Sequence, residues 1–73
     1  MEEIKTYKNL SLKEVEEKAK KISRRYAYVV RQAFKEEKRK INTLLCISKH
    51  SKVLIVIEKV DSSYNITITS EKI

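Results

Sequence analysis

The chain has 73 residues, one cysteine, one histidine and a formal net charge of +7. One small domain fits in that length, and a core this size rarely supplies more than ~3–5 kcal/mol unaided. A lone Cys46 excludes an internal disulfide, and Cys46 with His50 falls short of a zinc-ligand set, so self-association is the stabilising device left open. The positive charge favours polyanionic partners and argues against mimicry of DNA, which demands the opposite sign. A plain alternative is a lysine-rich surface that only keeps a small protein in solution. No run reaches the ~18–20 apolar residues of a membrane span, and the polar amino terminus lacks the features of a signal peptide, so a cytoplasmic location is expected. The sequons Asn9-Leu10-Ser11 and Asn65-Ile66-Thr67 are then chance matches. Glycine and proline, the usual suppliers of turns, are both absent.

Met1 to Leu10 alternates poorly and reads as an amino-terminal arm or a weak edge strand. At Ser11 the signal sharpens. Ser11-Leu12-Lys13-Glu14 fits a capping box, Leu10 and Val15 fit the hydrophobic staple around it, and Glu14, Glu16 and Glu17 suit the positive end of a helix dipole. From Leu12 to about Lys40 the pattern predicts one long helix. Its seam is Leu12, Val15, Ala19, Ile22, Tyr26, Val29 and Ala33 at spacings of three and four, widened by Val30 and Phe34. Acid-to-base pairs at i,i+4 (Glu14 to Lys18, Glu16 to Lys20, Glu17 to Lys21 and Glu36 to Lys40) add roughly 0.2–0.5 kcal/mol each. Such a helix would be about 40 Å long, more than a three-stranded sheet covers, and Glu37 and Lys40 fall on the seam's side near its end.

The remainder reads as three strands: Thr43 to Ser48, Val53 to Val60 and Tyr64 to Thr69, with turns at Lys49–Lys52 and Asp61–Ser63. The last strand alternates, with Tyr64, Ile66 and Ile68 on one face. Val53 to Ile57 is apolar on both faces, and a single helix covers one of them. The expected fold is therefore α+β, a long amphipathic helix on a three-stranded antiparallel meander, working as a homodimer. Leu54, Val56 and Val60 are the expected dimer interface, with the unused part of the helix seam a second candidate.

No catalytic or metal-binding signature is present, so no cofactor and no enzymatic activity are expected. The strongest functional feature is the stripe opposite the seam: Lys21, Arg24, Arg25, Tyr28, Arg31, Lys35, Lys38 and Arg39, with Lys20 at its margin. Arginines on one helix face can track phosphates, and Tyr28 can reach a sugar or base. This predicts a small basic nucleic-acid-binding protein, duplex DNA favoured over RNA, of the kind that serves as a regulator or accessory factor of viruses and other mobile elements. The competing expectation is a protein-interaction module using the apolar sheet face or the seam. A membrane-surface helix is disfavoured because the sheet offers the seam a partner. His50, in a turn with Lys49 and Lys52, lacks a second acid or base for catalysis. Cys46 is expected to be buried as a small apolar residue.

Overall fold

Ser11 starts the first helix as its sequence implies. Its hydroxyl accepts the backbone N–H of Glu14 at 3.2 Å, and the Glu14 carboxylate accepts the backbone N–H of Ser11 at 3.0 Å. These two bonds satisfy amides that the helix itself leaves unpaired. In this computed structural model, residues 2–36 and 39–72 are described. In chain order the elements are β1 (Glu2–Leu10), α1 (Leu12–Lys20), α2 (Arg24–Arg31), β2 (Ile41–Ile47), β3 (Ser51–Val60) and β4 (Ser63–Lys72). After α2 the chain continues through a wider π-helical turn, Gln32–Glu36.

The expected single helix is corrected to two. At the end of α1 the backbone N–H groups of Ile22 and Ser23 both donate to the Ala19 carbonyl at 3.0 Å, closing the helix. Ser23 is extended, and its hydroxyl accepts the Tyr26 N–H at 3.0 Å to cap α2. A β-branched Ile followed by a Ser that competes for backbone amides is a weak link in a helix. Folding back there lays both helices on one sheet face, whereas a straight helix would carry its second half past the sheet edge. Arg31 near the end of α2 consequently lies 3.9 Å from Glu16 of α1. Among the described residues, the expected pairs Glu14–Lys18, Glu16–Lys20 and Glu17–Lys21 do not close as salt bridges. Glu37 lies outside the described residues.

The expected three-stranded meander is corrected to a four-stranded antiparallel sheet of order β1-β4-β3-β2. β1 pairs with β4 from Glu2↔Glu71 to Leu10↔Tyr64, with an irregularity between Tyr7 and Leu10. Within it Asn9 has φ 58°, and its N–H donates to Asn65 Oδ1 at 3.2 Å. The β3–β4 turn places Asp61 at φ 57°. In a chain without glycine, these left-handed positions fall to Asn and Asp, the side chains that tolerate them best. β2 begins at Ile41, where the helix was expected to end.

The helices cover one sheet face. Val15, Ala19, Tyr26, Ala27, Val30 and Phe34 pack against Ile55, Ile57, Tyr64 and Ile66, with Tyr7, Leu10, Leu12, Leu44, Val53 and Ile68 around them. Phe34 meets Tyr64 edge to face, with ring centroids 5.2 Å apart. Lys18 Nζ sits 4.0 Å from the centre of the Tyr7 ring and ties α1 to β1. The break also rotates the second half of the seam. Ile22 and Val29 are 46% and 45% exposed, while Ala27, outside the expected seam, turns inward beside Tyr26, Val30, Ala33 and Phe34, which are buried as expected.

Candidate nucleic-acid interface

Two turns of helix capped by Ser23 carry Arg24, Tyr28 and Arg31 at spacings of four and three, so the three share the face of α2 directed away from the core. Lys35 extends that line into the following turn, and Arg24, Tyr28, Arg31 and Lys35 are all exposed. From Arg24 to Lys35 the sequence contains no acid. Tyr28, 63% exposed, accepts a hydrogen bond from Gln32 Nε2 at 3.0 Å, which steadies its ring on the surface. Glu16, reaching across from α1 to Arg31, is the acid set against this face.

The other expected members are placed differently. Lys20 ends α1 and Lys21 lies in the turn after it, both exposed but separated from α2 by the change of chain direction. Arg25 sits a quarter turn around α2, on the side facing β2. Arg39 is exposed beyond the helix, with its backbone N–H on the Ala33 carbonyl at 2.8 Å. Lys38 lies outside the described residues. The stripe read from the sequence as one continuous line is thus one compact face on α2 with outlying cations.

His50 is exposed at the β2–β3 turn, held by a weak bond from its backbone N–H to Ser48 Oγ at 3.4 Å. The same hydroxyl accepts the Ser51 N–H at 3.1 Å. Among the described residues, no three His, Cys, Asp or Glu side chains converge on a metal-sized site. No helix among them is long and apolar enough to cross a membrane.

Leu54, Val56 and Val60 occupy the sheet face opposite the helices, the first two half-buried and Val60 41% exposed. The pairings Ile41↔Glu58, Thr43↔Val56, Leu45↔Leu54 and Ile47↔Lys52 put Ile41, Leu45 and Ile47 on that same face. β1 stays in the sheet as its far edge and leaves this face open.

Sequence reasoning missed a groove between α2 and β2, about 380 Å³ in volume, lined by Ile22, Val29, Leu44 and Cys46 with Arg25 at its rim. Cys46, expected to be buried, is exposed there because β2 is an edge strand. On the groove wall the Tyr26 hydroxyl donates to Asn42 Oδ1 at 3.4 Å. Burial, and secondarily the nearby Cys46, push the Tyr26 phenol up to about 12. No family model, curated protein or solved structure matches this chain.

Proposed function

We propose that the protein binds nucleic acid through the outer face of α2, with Arg24, Arg31 and Lys35 on phosphates, Arg25 flanking them and Tyr28 against a sugar or base. The observation that carries this reading is the exposed line of Arg24, Tyr28 and Arg31 on the capped helix α2, continued by Lys35 in the π-helical turn after it, in a stretch of sequence without an acid. Arginine offers paired N–H groups that match phosphate oxygens, and an exposed tyrosine among cations supplies a stacking surface. Duplex DNA is the favoured ligand, since a straight helix face follows a groove without ordering a flexible strand.

The test is an anisotropy titration against duplex DNA, single-stranded DNA and RNA at several salt concentrations. Four phosphate contacts correspond to a loss of affinity of about 10²-fold between ~50 and ~200 mM salt. Reversing Arg24, Arg25 and Arg31 to Glu abolishes that binding. Unchanged binding in the triple variant removes α2 from the mechanism.

A second reading rests on the open sheet face, where Ile41, Leu45, Ile47, Leu54, Val56 and Val60 form an apolar strip. Patches of this kind mark protein-binding surfaces. On this reading nucleic acid is not bound at ~150 mM salt, and Leu54→Lys or Val56→Lys eliminates a specific protein partner.

A further inference from the structure

The two edges of the sheet are built differently. β1 carries Glu2, Glu3, Lys5 and Lys8 and is broken by the irregularity at Asn9, the devices by which proteins keep an edge from pairing. β2, Ile-Asn-Thr-Leu-Leu-Cys-Ile, has no charge, no proline and no irregularity in its pairing with β3.

Its outward backbone groups can be identified. Ser48 N–H donates to the Ser51 carbonyl at 2.8 Å, and Lys59 N–H to the Lys40 carbonyl at 2.7 Å. With the unbroken register between them, alternation directs the N–H and C=O of Asn42, Leu44 and Cys46 to β3. Those of Ile41, Thr43, Leu45 and Ile47 point away from the sheet. Apolar side chains flank this free edge on both faces. Ile41, Leu45 and Ile47 are 56%, 50% and 65% exposed on one, and Ile22 and Val29 stand over the groove on the other.

We propose that a second copy of this chain docks antiparallel along β2, about a two-fold axis through Leu44, joining two four-stranded sheets into one of eight strands. This register places Ile41 against Ile47 of the other copy, Thr43 against Leu45, Asn42 against Cys46, and Leu44 against itself. Every outward backbone group of the strand is then paired, and no charge meets a charge within it. Asymmetric partners would need a matching bare edge of their own, whereas β2 is complementary to itself. Ile22 of the α1–α2 turn and Val29 of α2 close over the joint from both copies, which accounts for two large apolar side chains left in water by the monomer. Both α2 helices end on the same side of the joined sheet.

The test is mass in solution, independent of any nucleic acid. Light scattering or sedimentation at micromolar concentration gives twice the 8.6 kDa of the chain. Thr43→Pro removes an outward N–H and leaves the β2–β3 ladder intact, and Leu45→Lys charges the joint; both give monomers with unaltered circular dichroism. Mild oxidation of a Leu44→Cys, Cys46→Ser double variant yields a covalent dimer, because position 44 lies on the axis. This last arm holds even if Thr43→Pro fails to fold. A monomeric wild type overturns the proposal. So does a dimer that survives Leu45→Lys but is lost in Leu54→Lys, since the second copy would then lie on the open sheet face, and so does the absence of cross-linking at position 44.

Discussion

The hydroxyl of Ser23 accepts the backbone N–H of Tyr26 at 3.0 Å, and this bond marks where the chain abandons one helix and begins another. Removing it leaves an amide at the start of α2 without its cap. Ser23→Ala therefore lowers stability by about 1 kcal/mol, and Ser23→Gly by a few tenths. In a domain of this size the alanine variant melts about 4–8 °C lower, read by thermal circular dichroism. A higher melting temperature in Ser23→Ala would mean that the continuous helix is the preferred state.

Ile57 is 1% exposed at the centre of β3, beneath both helices. Truncation to alanine costs about 2–5 kcal/mol in transfer and cavity terms. That is comparable to the whole stability of a domain this small. Ile57→Ala is expected to be largely unfolded, while Ile57→Val costs about 0.5–1.5 kcal/mol and stays folded. Urea unfolding of the two variants separates these outcomes.

Acid and alkaline stability have separate origins. The backbone N–H and the hydroxyl of Ser11 hold the Glu14 carboxyl below its ordinary 4.5. The folded chain thus takes up this proton at lower pH than the unfolded one. The contribution is complete above 4.5 and is lost as pH falls through the lowered value. In Glu14→Gln this part of the acid dependence disappears. Tyr26 behaves in the opposite sense: its contribution is complete below the ordinary 10.0 and is lost as pH rises through about 12. Absorbance titration of the phenolates shows a late component that is missing in Tyr26→Phe.

Local chemistry was legible in the sequence where it completes itself within one helical turn. Ser11 and Glu14 form their capping box from residues three apart, so no distant contact is needed to see it. Ser23 caps α2 with Tyr26 at the third position in place of an acid, inside a run of good helix formers, and local pattern alone favours continuity. Of the expected seam, Val15, Ala19, Tyr26 and Ala33 are buried, as are Val30 and Phe34, which widen it; Ile22 and Val29 are exposed, because the break rotates α2 and turns Ala27 inward in their place. The alternation of Tyr64, Ile66 and Ile68 marked the helix-facing side of β4. β1 was ambiguous, since a strand of Glu, Lys and Thr becomes a strand when β4 supplies its hydrogen-bonding partner.

The sequence by itself determined the first helix start, the β-character of the second half, and a cationic stretch from Arg24 to Lys35 that carries no acid. The tertiary structure decided which cations share a surface, that Cys46 and Ile47 lie on an open edge, and that Leu54 and Val56 face away from the helices. The physical reason is range. Caps and charge runs depend on neighbours within a turn or two, whereas an edge exists only once it is settled which strands lie between β1 and β2. That order, β1-β4-β3-β2, is set by packing across the whole chain.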